Sequence, residues 1–180
     1  MRFYGRLFGT VLQADSLFAH VDSSYNRLKH RAALSSVRLS VVCELKNGSA
    51  WYVPGGRSTT GRLLEDAYSD YAFAKDAHSG SVPLPFETVF EKAGDADIWL
   101  IKYNRQRDMT YADLQADFVG YTGFKAFKER HVYGCNTGKV AFYEEIPFHP
   151  DRLLADLIQI LHPETDISDG LRYYKELKEN

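Results

Sequence analysis

A chain of 180 residues, 44% of them hydrophobic, is long enough for one core of ordinary size. A net charge of −2, with the basic residues scattered, gives no electrostatic basis for a nucleic-acid partner. No stretch has the apolar length to span a bilayer, and the start Met1-Arg2-Phe3-Tyr4-Gly5-Arg6 lacks the apolar core and small-residue cleavage site of a secretory signal.

In chain order, the spacing of Phe3, Leu7, Val11, Leu12, Phe18, Val21, Tyr25 and Leu28 predicts one long helix over residues 1–34, with Gly5 and Gly9 weakening its first turns. Such a stripe needs cover along its whole length, and its N-terminal half has no earlier element of this chain to lie on. Residues 38–45 predict a strand, Asn47-Gly48 a turn, and residues 50–53 a returning short strand. After a loop at 54–58 come a helix at 59–67, a short strand at 70–73, a helix at 85–93 entered through Pro85, and a buried strand at 97–101. Thr110 with Asp113 three residues on predicts a capped helix. A short helix at 123–128 and strands at 131–134 and 140–143 follow. One closing helix then runs between Pro150 and Pro163, ahead of a polar tail at 173–177. Strands alternating with helices predict an α/β fold, a three-layer sandwich with a mostly parallel central sheet (a Rossmann-like lobe) preceded by one long helix. Cys43 and Cys135, each in its own strand-like run, are expected as separate thiols.

Catalytic motifs are scarce. Gly55-Gly56-Arg57-Ser58-Thr59 is not a nucleophile elbow, no glycine-rich phosphate loop occurs, and the six histidines are isolated, with no metal-ligand spacing. In open α/β sheets ligands sit outside the carboxyl ends of the strands, and three loops are expected there. The first holds Gly55, Gly56, Arg57 and Ser58, where paired glycines admit close backbone approach and Arg57 offers a planar fork. Lys102 and Tyr103 follow the strand at 97–101, and Asn136 leads towards Phe142 and Tyr143. The 14% aromatic content suits either an aromatic core, the commoner use, or a flat ligand.

Six segments in order carry a family resemblance: Phe3 to Lys29, Trp51 to Ser58 followed by Leu64-Glu65-Asp66-Ala67, Ser81 to Glu87, Asp95 to Leu100, Phe124 to Tyr133, and Pro147 to Glu164. Together they resemble the class III substrate-binding proteins, receptors that hand cobalamin, haem or ferric siderophores to ABC importers. The resemblance implies a binding protein without catalytic residues or a resident cofactor or metal, carrying an iron complex, haem or a corrinoid. It adds Trp51 and Tyr52 to the ligand-binding candidates and places an aromatic contact at Tyr143. It makes Glu144, or Glu145 beside it, the glutamate presented to the permease. Residues 1–34 would be the interlobe helix and residues 35–180 the C-terminal lobe of a two-lobe protein whose N-terminal lobe has no counterpart here. The address would be the periplasm, with a lipoprotein tether, and the isolated lobe could dimerise through its leading helix. The alternatives are a small α/β enzyme or enzyme subunit using the loops around Arg57, Lys102 and Tyr103, which needs a convergent nucleophile and base, and a pure interaction domain.

Overall fold

In the computed structural model, which describes residues 1–165, 167 and 170–179, the N-terminal stripe forms two helices where one was expected. Arg2–Leu7 (α1) stops before Gly9, whose φ of +68° is left-handed, and Val11–Ala32 (α2) starts beyond it. Gly5 lets α1 fold back onto α2, since a Cβ there would collide with that of Ala14. The two glycines therefore act as a break and a contact point. Val21, Tyr25 and Leu28 turn inward, whereas Phe3, Leu7, Phe8 and Leu12 are 62–82% exposed.

Ser40–Cys43 (β1) is the first core strand. Glu44, directly after it, takes a φ of +69°, and the chain leaves the main sheet as a hairpin of Lys46–Asn47 (β2) and Ala50–Pro54 (β3), turning at Gly48 with φ +59°. Thr59–Asp66 (α3) is capped by Ser58, whose hydroxyl accepts from the Gly61 amide at 3.0 Å. Asp70–Tyr71 (β4) returns alongside β1, and Ser81–Leu84 (β5) pairs with β3. Phe86–Ala93 (α4) is entered through Pro85, and Ile98–Tyr103 (β6) is the long central strand. Tyr111–Asp117 (α5) has the expected capping box between Thr110 and Asp113. Lys125–Lys128 (α6), Val132–Asn136 (β7), Phe142–Glu145 (α7), Pro150–Leu161 (α8) and Lys175–Glu176 (β8) complete the order.

The main sheet runs β4-β1-β6-β7-β8, with the first four strands parallel and β8 antiparallel to β7. Helices lie on both faces, α8 with α2 against it, and α4 and α6 against β1 and β6. This is the α/β sandwich that the alternation of elements predicts. Three local expectations are corrected. The strand expected at 140–143 is absent, and residues 142–145 are helical, because the Glu145 amide reaches back to Ala141 and the Phe142 ring is buried against Tyr173. The tail at 173–177 is not a polar extension: Tyr173, Tyr174 and Leu177 are buried, and β8 is an edge strand. The hairpin and β5 form a separate three-stranded antiparallel sheet, so β3 does not join the parallel one. Cys43 and Cys135 are both free and buried.

The start of the sheet is held by Asp97. Its carboxylate accepts from the Ser40 amide at 2.9 Å, the Ser40 hydroxyl at 2.6 Å and the Lys125 ammonium at 2.6 Å. Burial pushes its pKa up, but these three donors outweigh burial and bring it down to about 2. Glu145, bonded to Arg172, Tyr173 and Arg152, is likewise held at about 2. Both pKa values are depressed relative to an unfolded carboxyl near 4, so their stabilisation is complete above about pH 4.5 and fades as pH falls towards 2. Urea midpoints measured from pH 6 to 2 should hold and then drop within that window, with a shallower drop for Asp97→Asn. A midpoint unchanged between pH 4.5 and 2.5 would contradict the account.

Candidate functional site

The chain leaves β1 for β4 on one side and returns to β6 on the other, so the strand order reverses between β1 and β6. A crevice outside the carboxyl ends of these two strands is where α/β sheets receive ligands. Glu44 stands at the end of β1 and Lys102 near the end of β6, and their charged groups are joined in an ion pair with about a fifth of each side chain exposed. Glu44 is fixed on both sides of its backbone: its amide donates to the Leu100 carbonyl at 2.8 Å, and its carbonyl accepts from the Trp99 indole at 2.9 Å. A non-glycine residue at positive φ costs conformational energy, which these bonds and the ion pair hold in place. Burial disfavours the Lys102 ammonium, and the Glu44 charge more than restores it, leaving the lysine pKa raised. The Lys102 nitrogen lies 5.9 Å from the centre of the Phe142 ring. Tyr143, edge-on to Phe142, stands 65% exposed beside it.

The other expected site residues fall into distinct places. Trp51 is fully buried, stacked between Trp99 and Phe86 and edge-on to Tyr121, with its indole donating to the Cys43 carbonyl at 2.8 Å. It is a core residue and has no face left for a ligand. Tyr52, pointing the other way from the same strand, is 45% exposed. The loop at 54–58 follows a strand of the small antiparallel sheet, not the carboxyl end of a parallel one. It meets the main sheet at β4, where the Tyr71 hydroxyl donates to the Pro54 carbonyl at 2.7 Å, and through the segment after β4: a Cβ on Gly56 would overlap the Ala74 carbonyl, and one on Gly55 the His78 carbonyl. The paired glycines thus allow chain to meet chain. Ser58 is consumed as the α3 cap, also donating to the Gly55 carbonyl at 2.6 Å. Arg57 is exposed, its guanidinium without a partner among the described residues.

Tyr103 is half-buried, its hydroxyl accepting from the Met109 amide at 3.0 Å. Asn136 is buried and pins the loop after β6, donating to the carbonyls of Arg105 and Arg107 and accepting from the amides of Arg105 and Gly138. It positions that loop and has no amide group free for a ligand. Phe142 supports Tyr143 from the core side. Glu144 is exposed and unpaired among the described residues, whereas Glu145 is bound by Arg172, Arg152 and the Tyr173 hydroxyl. Lys102, Phe142 and Tyr143 therefore meet at one place, Tyr103 and Asn136 brace the neighbouring loop, and Arg57 stands on another loop. No nucleophile is poised beside a base at any of these positions.

Two residues escaped the sequence. Glu44 carries a readable signal, an acidic residue closing a β-branched run. Asp156 carried another, an acid between Leu154 and Leu157 on the apolar side of α8. It is buried, and it accepts from the amides of Arg172, Tyr173 and Tyr174 at 2.7–3.0 Å.

The sequence pattern of the periplasmic binding protein family matches residues 1–137, three quarters of the chain. The chain belongs to the periplasmic binding protein family. An uncharacterized lipoprotein of Methanocaldococcus jannaschii is 31% identical over 119 residues, which are 64% of this chain and 27% of that protein. Among solved structures, the TroA-like periplasmic binding protein FepB of Veillonella parvula superposes with a TM-score of 0.69 at 17% identity, covering 97% of this chain and 59% of its own. IsdE of S. aureus, solved with haem, gives 0.67 at 20% identity over 89% of this chain and 62% of its own. The periplasmic haem-binding protein RhuT of Roseiflexus sp. RS-1 gives 0.69 at 16% identity over 92% and 61%. At these identities the structures establish a shared fold. This member of the family spans about six tenths of the solved proteins and about a quarter of the lipoprotein it matches.

Proposed function

We propose that this chain is the C-terminal lobe, with its interlobe helices, of the substrate-binding component of an ABC importer. That component captures an iron complex, haem or a corrinoid between two lobes and delivers it to a membrane permease. The observation that carries this is the family match over residues 1–137 on a fold that accounts for only part of each relative. The bare apolar face of α1 and the first half of α2 supports it, because Phe3, Leu7, Phe8 and Leu12 are the surface a second lobe would cover. With that lobe removed, the same face would pair two copies.

The ligand would lie against Tyr143 at the switch point, with Tyr52 and Arg57 on neighbouring loops as outer contacts. Glu144 would face the permease, since Glu145 is already neutralised by two arginines. The family and the lipoprotein relative support a place outside the cytoplasmic membrane, held by a lipid anchor. Among the described residues no helix is long and apolar enough to cross a membrane.

The native gene product should show saturable quenching of its aromatic fluorescence by at least one of haem, a cobalamin or a ferric siderophore. Tyr143→Ala should weaken that binding about tenfold, the loss of one aromatic face. Absence of saturable binding by all three classes would overturn the proposal.

A further inference from the structure

Resting on this reading of the crevice, we infer that Glu44 and Lys102 form a ligand-selecting pair that favours a neutral ligand edge bearing carboxamides over one bearing carboxylates or catecholates. At first sight Lys102 suggests an anionic ligand. In the structure its charge is already matched, because the Glu44 carboxylate is bonded to it, with about a fifth of each side chain exposed. A ligand carboxylate arriving there would gain the ammonium only by competing with Glu44, and would then sit beside a second carboxylate. Like charges at such a distance disfavour each other strongly where water is partly excluded. A primary carboxamide meets no such conflict: its N–H donates to Glu44 and its carbonyl accepts from Lys102.

The exposed guanidinium of Arg57 stands on another loop, and the charge at the pair itself is balanced. Arg105 is paired with Asp117 at 2.6 Å, and Lys46 lies over the Phe118 ring. Tyr143 adds an exposed aromatic face without charge. The geometry of Glu44 marks it as built for this position. Its left-handed backbone turns the chain out of the sheet at the point where the carboxylate meets Lys102, and bonds from two sides of β6 hold it there. Amide edges of this kind occur on corrinoid rings and on neutral ferric hydroxamate complexes built on peptides.

The test is a titration of the native gene product with four ligands: cyanocobalamin, its ring with carboxylic acids in place of the amides, a neutral ferric hydroxamate, and haem. One of the two amide-bearing ligands should bind at least about tenfold tighter than the carboxylate ring and haem, and which one binds identifies the source of the amides. Glu44→Gln frees Lys102, so it should narrow or reverse that preference by about tenfold, and Lys102→Met, which leaves the Glu44 charge uncompensated, should weaken carboxylate ligands more than amide ones. A merely structural Glu44 would lower all affinities together. Tighter binding of haem or the carboxylate ring by the unaltered protein would overturn this inference and leave the proposed function standing. So would a Glu44→Gln variant whose preference for amide over carboxylate ligands is unchanged in size. Binding of none of the four, nor of any other ferric siderophore, would overturn both.

Discussion

Asp156→Ala should lower the unfolding free energy by about 3–5 kcal/mol, measured as a shift in the urea midpoint at constant slope. The size follows from what the carboxylate holds. One oxygen accepts from the Arg172 amide, and the other from the buried amides of Tyr173 and Tyr174, all within 3.0 Å. Alanine leaves these donors buried without partners, each loss costing about 1–3 kcal/mol before relaxation. It also detaches the segment that carries β8 to the edge of the sheet and buries Tyr173 and Tyr174. Asp156→Asn keeps one good acceptor but turns an N–H towards backbone donors, and about half the loss should remain. A shift below about 1 kcal/mol for the alanine variant would show that the tail docks by its tyrosines alone.

Trp51→Ala should cost a similar amount, about 3–5 kcal/mol, because it empties the centre of an aromatic cluster. Trp99, Phe86, Tyr121 and Phe124 all lie within 6.3 Å of the Trp51 ring, centre to centre. Trp51→Phe retains a ring and loses the bond to the Cys43 carbonyl, so about 1–2 kcal/mol is expected. The second variant separates packing from recognition. Since Trp51 is fully buried, its phenylalanine variant should bind ligand within about twofold of the unaltered protein while unfolding earlier. A tenfold loss of affinity with an unchanged urea midpoint would return Trp51 to the ligand face.

Elements with strong local signals were legible in the sequence. Asn47-Gly48 announced the hairpin, Thr110 and Asp113 the capped helix, and Pro150 with Pro163 the limits of the closing helix. What stayed hidden depends on contacts between distant residues. Nothing local distinguishes Gly9 as a helix break from a glycine tolerated inside a helix, and the contact of Gly5 with Ala14 exists only after α1 folds back. Residues 140–143 look extended because Val, Phe and Tyr favour strands. The helix there depends on Phe142 meeting Tyr173 and on Glu145 meeting Arg172, partners far away along the chain.

The site shows the same division. The alternation of strands and helices leads to Lys102 through the strand-end rule and the resemblance to Tyr143, whereas the neutralisation of Lys102 depends on β1 lying beside β6. Trp51 and Ser58 looked available because a resemblance, or a place in a loop, conveys position along the chain and not the direction a side chain takes. The fold turns one into the core and the other onto a helix end.

The central claim, that these residues form one lobe of a two-lobe importer receptor, is tested most directly by the mass of the mature protein in its native cells, read by immunoblot with antibody raised to this chain. A band at about twice the chain's 20.5 kDa is predicted, as for a receptor whose second domain covers the bare face of α1 and α2. A band at the chain's own mass would contradict the claim.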